Sequence, residues 1–114
     1  MNHSEILQAV NGIRKVMGAK SIDRLPAGQR NNGHNCVLAN ALKDLDPSII
    51  VYKEGIFSTN KQFSQLVASQ LNYQYDLIIW KNPFDYRYGV PTPHYMRVFI
   101  ANFDEGHYPE LEVV

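Results

Sequence analysis

Cysteine occurs once in this chain, at Cys36, and tryptophan once, at Trp80. A single thiol closes no intrachain disulfide, which suits a reducing compartment. No stretch approaches the ~20 apolar residues of a membrane span. Met1 to Gly12 shows no basic segment followed by an apolar run, so it does not read as a signal peptide. The expectation is a soluble, cytoplasmic protein away from membranes. Net charge is also missing, because 11 Lys and Arg balance 11 Asp and Glu. A neutral chain exerts no long-range pull on a polyanion. The basic clusters, Arg14-Lys15 and Arg24 to Arg30, are short and carry no interleaved aromatics, so general nucleic-acid binding is disfavoured. Neither a Gly-x-x-x-x-Gly-Lys nor a Gly-x-Gly-x-x-Gly motif is present, which leaves nucleotide binding without positive support.

What the sequence does hold is enough for one core. At 114 residues, 45% of them hydrophobic, the chain reads as a single domain over 1–114. A domain of this size buries roughly two-thirds of its unfolded surface. Ser4 can cap a first helix, along which Ile6, Val10, Ile13 and Met17 recur at helical spacing until Gly18. Ala19 to Asn35 is a long loop rich in Gly, Asn and Pro. A second helix is expected from Cys36 to Leu45, capped by Asn35 and stopped by Asp46-Pro47. The β-branched run Ile49 to Tyr52 reads as a strand. A third helix follows a cap at Ser58, Thr59 or Asn60, with Phe63, Val67 and Leu71 as its stripe. Leu77 to Trp80 reads as another strand, and Asn82 to Pro93 as a loop or irregular hairpin.

Thr92 to Asp104 admits two readings. As a helix it has Thr92 as N-cap, Pro93 in the first turn and Gly106 just past its end. As a strand it would line up Tyr95, Arg97, Phe99, Ala101 and Phe103 on one face. The signals at both ends favour the helix. The tail Pro109 to Val114 alternates as an edge strand does, and its edge Leu111 to Val114 offers a route to a homo-oligomer across a two-fold axis. These elements sum to an α+β fold, three or four helices on a small, mixed sheet of about three strands. A helical-length connection between the strands at Ile49 and Leu77 permits a parallel crossover.

Two blocks carry a resemblance. Leu25-Pro26-Ala27-Gly28-Gln29-Arg30 leads to Cys36-Val37-Leu38-Ala39-Asn40-Ala41-Leu42, and Phe99-Ile100-Ala101-Asn102-Phe103-Asp104-Glu105-Gly106 follows near the end. The pattern L-P-x-G-x-R, C-x-x-A-x-A-L, F-I-x-x-F-D-x-G resembles short uncharacterised proteins of bacteria, phages and mobile gene cassettes such as those of integrons. The resemblance implies a small α+β fold with a last helix, and no activity.

The sharpest catalytic candidate is a thiol hydrolase. Cys36 stands at a helix start, where the helix dipole favours a thiolate. His94 is the candidate base and Gln29 a candidate oxyanion donor, an order similar to that of papain-like peptidases if His94 opens a strand. Asn102 or Asp104 would have to orient the imidazole. Against it, Val37-Leu38 follow the cysteine directly, where those nucleophiles have small residues. The plainer reading makes Cys36 a small buried hydrophobe, and it is preferred. Phe84-Asp85-Tyr86-Arg87-Tyr88 has the composition found at contact surfaces, with Phe84, Tyr86, Arg87 and Tyr88 as candidate partner-binding residues; the preferred alternative is a hairpin whose aromatics fold onto its own core. Arg30 and His34 flank a loop able to hold an anion ahead of the second helix, although pairing of Arg30 with a carboxylate is the simpler reading. His34 and Cys36 offer two metal ligands with no second pair, His94 and His107 are isolated, and His3 lies in a terminus expected to fray, so neither metal nor cofactor is expected. The favoured function is a small accessory or interaction protein that binds an unidentified protein or small ligand.

Overall fold

The computed structural model describes residues 3–71, 78–82 and 85–113. Four helices and four strands follow one another as α1 (Ser4–Val16), α2 (Val37–Leu42), β1 (Ile50–Tyr52), β2 (Gly55–Ser58), α3 (Lys61–Gln70), β3 (Ile78–Asn82), β4 (Asp85–Pro91) and α4 (His94–Asp104), with a 3₁₀ turn at Pro109–Leu111. The α+β class holds. Among the described residues the sheet has four strands in the order β1-β2-β4-β3, every neighbouring pair antiparallel.

The sheet therefore differs from the expected mixed one. The difference is β2, a four-residue strand joined to β1 by a tight turn at Lys53-Glu54, with Tyr52 opposite Gly55. Because β2 intervenes, the crossover through α3 joins β2 to β3, which run in the same direction with β4 inserted antiparallel between them. The strands at Ile50 and Ile78 then lie at opposite edges of the sheet. Val51, Ile56 and Val90 share one face through successive cross-strand pairs, and all three are buried. On the opposite face, Phe57 pairs with Gly89 and fills the space a side chain would occupy: a Cβ at Gly89 would come within 2.4 Å of the ring.

Helix α1 buries its Ile6–Val10–Ile13 stripe as expected, and α3 buries Phe63 and Val67. Each fully buried side chain of this kind is worth roughly 1.5–3 kcal/mol over its exposed state. Helix α4 is the helix favoured above, with Met96, Phe99, Ile100 and Phe103 buried. Both glycines expected to end helices do so in the left-handed region, Gly18 at φ 75° and Gly106 at φ 83°. After each, the chain folds back on the last turn: Ala19 N–H donates to Arg14 C=O at 2.9 Å and His107 N–H to Asn102 C=O at 3.0 Å.

Asn60, one of the three expected caps, does cap α3, accepting the Phe63 N–H at 3.1 Å, whereas the starts of the other three helices differ from expectation. Thr92 does not cap α4; its hydroxyl donates to the Lys53 carbonyl, and Pro93 occupies the cap position. Ser4 is the first residue inside α1, with His3 before it. His3 is not frayed: its ring stands edge-on to Phe99 and Tyr108, and Nε2 lies 3.0 Å from Glu110 Oε1. Asn35 does not cap α2, and α2 ends at Leu42, three residues short of expectation. The tail is no edge strand. Pro109–Leu111 turns, and Glu112 then makes a lone parallel bridge with Gly28, through Gly28 N–H to Leu111 C=O at 2.8 Å and Val113 N–H to Gly28 C=O at 3.0 Å. Leu111 C=O and Val113 N–H, two of the groups offered for a sheet across a two-fold axis, are thus engaged by the chain's own loop.

Candidate functional site

Three elements converge beside Cys36. The first is the loop before α2. Asn31 sits in the left-handed region at φ 54°, a conformation asparagine tolerates better than most residues. Its N–H donates to Asp104 Oδ1 at 2.8 Å, which ties the loop to the last turn of α4. Two residues on, Gly33 C=O accepts from Val51 N–H at 2.9 Å, which ties the same loop to β1. A side chain at Gly33 would run into Ile50 and Tyr52, so this approach requires glycine. The second element is the β1–β2 turn, carrying Tyr52, Lys53 and Glu54. The third is α4, whose Ile100, Ala101, Asp104 and Glu105 share a face by their spacing. Between them lies a half-open cleft of about 450 Å³, with Cys36 and Val51 among its lining residues.

Cys36 is the N-cap of α2, and its Sγ accepts the Ala39 N–H at 3.5 Å. The residue is 7% exposed. Burial pushes its pKa upward, the Ala39 and Leu38 amides oppose this, and the nearby Asp104 carboxylate adds to the rise. The thiol is therefore held in its protonated form, opposite to the activation a nucleophile needs.

The other residues singled out by sequence fall as follows. His94 opens α4 and is exposed; with a rise of about 1.5 Å per residue it stands about 9 Å along the axis from Ile100. It does not line the cleft. Asn102 donates to the Tyr108 hydroxyl at 3.3 Å and Asp104 serves the Asn31 amide, so neither is engaged with the His94 imidazole. Gln29 is exposed and accepts from Asn32 Nδ2 at 2.9 Å, outside the cleft lining. Arg30 pairs with Glu112 at 2.8 Å, the simpler of the two readings, and lies against Gly106. His34 is exposed, its backbone N–H donating to Asn32 Oδ1 at 3.1 Å.

Of the two readings of the aromatic segment, loop or hairpin, the structure has the hairpin. Asp85 to Tyr88 belong to β4, paired with Asn82 to Ile79 of β3, while Phe84 lies outside the described residues. Tyr86 is 54% exposed. Arg87 Nη1 donates to Ser48 C=O at 2.7 Å, and the Tyr88 carbonyl accepts from Ser64 Oγ at 2.8 Å, so this strand is stitched to neighbouring segments. Among the described residues no group of three or more His, Cys, Asp or Glu is placed to hold a metal ion, and no helix is long and apolar enough to cross a membrane.

Sequence reasoning missed Tyr52, Lys53, Glu54 and Glu105 as site residues, and named Asp104 only as a partner for His94. A signal existed for the first three: Lys53-Glu54-Gly55 separates two short apolar runs, the mark of a hairpin. Compared with family models, curated proteins and solved structures, the chain matches none of them.

Proposed function

We propose that this chain is a small accessory protein that binds a small ligand in the Cys36 cleft without turning it over. The observation that carries the reading is the state of the thiol: capping α2, buried and held protonated, it serves as a neutral part of the cleft lining. The cleft's size falls within the usual 300–1,000 Å³ of ligand pockets, and its mix of apolar and polar lining is of the kind such pockets use. A cytoplasmic setting suits a lone unpaired thiol. An accessory role agrees with the resemblance to mobile-cassette proteins, and Tyr86 on the β3–β4 hairpin is the residue we would assign to a protein partner.

The test is a fragment library of mixed charge, followed by amide ¹H–¹⁵N shifts on the whole chain. Shifts clustering at Gly33, Tyr52, Cys36 and Ala101 are expected. A library with no member acting on those amides would sink the reading. The second reading, a thiol hydrolase using Cys36 and His94, is favoured by one observation, that the cysteine at a helix start does line an open cleft. It requires rapid alkylation of Cys36 well below pH ~8.5, suppressed by His94→Ala.

A further inference from the structure

The charges around the cleft are unequal. Its lining carries three carboxylates, Glu54, Asp104 and Glu105, against one ammonium, Lys53. The contacts of the carboxylates leave their charge in place. Asp104 accepts a backbone N–H, which neutralises nothing. Glu105 lies 3.2 Å from His107 Nε2, a ring that is charged only when protonated, and both side chains face water. Three carboxylates against one ammonium leave the lining net negative, which favours a cation over an anion in the cleft. The floor adds no compensating charge, since Cys36, Val51 and Ile100 are buried and the thiol is protonated. Tyr52, 39% exposed beside the carboxylates, offers an aromatic surface of the kind that attracts cations.

We infer that the cleft is selective for a small organic cation, an alkylammonium or guanidinium on a short apolar stem, its charge among Glu54, Asp104 and Glu105 and its stem against Cys36, Val51 and Ile100. This rests on the ligand-binding reading above and specifies the class of ligand. An anion would meet three carboxylates in the same space, and a neutral isostere would leave them without a counter-charge. Asp104 cannot be removed without freeing the Asn31 amide, whereas Glu54 and Glu105 are exposed, and Glu105 meets the exposed His107 among the described residues.

The experiment titrates the whole chain with three probes of one shape, n-pentylammonium, n-pentanol and n-pentanoate, and follows the Gly33, Tyr52 and Ala101 amides. Pentylammonium should bind at least tenfold more tightly than pentanol, with pentanoate weakest and the cation's affinity falling as salt is added. Glu54→Gln with Glu105→Gln should cut pentylammonium affinity at least tenfold with the melting temperature unchanged, while pentanol binding stays as it was. Equal affinity of pentylammonium and pentanol at those amides would overturn the charge selection and leave the ligand-binding reading standing. Absence of any cleft shift with pentylammonium would overturn this inference, while the mixed-charge library decides the broader reading separately.

Discussion

Cys36 and Ala39 are joined by an N–H···S hydrogen bond of 3.5 Å, which satisfies one of the free amides at the start of α2. Helix N-caps are usually oxygen acceptors, and losing one costs about 1 kcal/mol. Cys36→Ala is therefore expected to lower unfolding stability by about 1 kcal/mol in urea, while Cys36→Ser keeps an acceptor and stays above it. An alanine variant as stable as the serine variant would show that the sulfur contact contributes nothing.

The same burial fixes the alkaline behaviour. The folded thiol has a raised pKa, so its contribution to stability is complete below the unfolded thiol value, about 8.5. It is lost as pH rises from there through the folded value, because the unfolded chain releases its proton first. Stability should decline above pH ~8.5 in the wild type and decline less in Cys36→Ala. Alkylation by iodoacetamide should be slow in the native state and become fast in denaturant. A native rate matching the denatured one at neutral pH contradicts the assignment.

Gly28 sets the distance between the first loop and α2. A Cβ there would stand 2.4 Å from Val37 N and 2.6 Å from Cys36 C, both backbone atoms with nowhere to move. Gly28→Ala should cost about 2 kcal/mol or more and displace the loop carrying Asn31 and Gly33. Thermal melting reads the first effect and amide shifts the second. A variant that melts with the wild type refutes the close approach.

Arg14 is buried along α1, donating to Asp44 at 2.8 and 3.0 Å, to Ala41 C=O at 3.0 Å and to Lys20 C=O at 2.7 Å. Hydrogen bonding to Arg14 lowers the Asp44 pKa. The pair's contribution is complete above the ordinary aspartate range and drains away as pH falls through the depressed folded value. Because the Asp44 side chain is 59% exposed, water screens it, and Asp44→Asn should cost only about 0.5–1 kcal/mol at pH 7. Arg14→Ala removes packing and two carbonyl contacts as well, and should cost about 2 kcal/mol. Melting temperatures of wild type and Asp44→Asn should converge below pH ~4; a gap constant down to pH 2 would rule out the linkage.

The helices were legible because their signals are local. Gly18 and Gly106 announced the two left-handed ends, and the Ile6–Val10–Ile13 and Phe99–Phe103 spacings announced the buried faces. The cap of α2 was misread because asparagine outranks cysteine as an acceptor; here the Asn35 side chain receives Lys43 Nζ at 2.8 Å and its carbonyl receives Gln29 N–H, so Asn35 serves the loop. Strand β2 escaped notice because Ile56-Phe57 is too short a run to declare a period. Without β2, the strand order could not be right. The cleft was invisible for a different reason: its walls come from residues 31–36, 51–54 and 100–105, and nothing in one segment refers to another.

The insertion of β4 between β2 and β3 has a consequence for biosynthesis. Ile56 must wait for Val90, 34 positions downstream, before the inner edge of β2 is paired. A nascent chain halted ahead of Asp85 would display β2 with one row of amides and carbonyls unmatched, a template for association with other chains. The β1–β2 hairpin and α1 can form as they leave the ribosome, but the sheet is sealed only when the last strand, β4, is synthesised, and the helix that walls the cleft follows directly behind it.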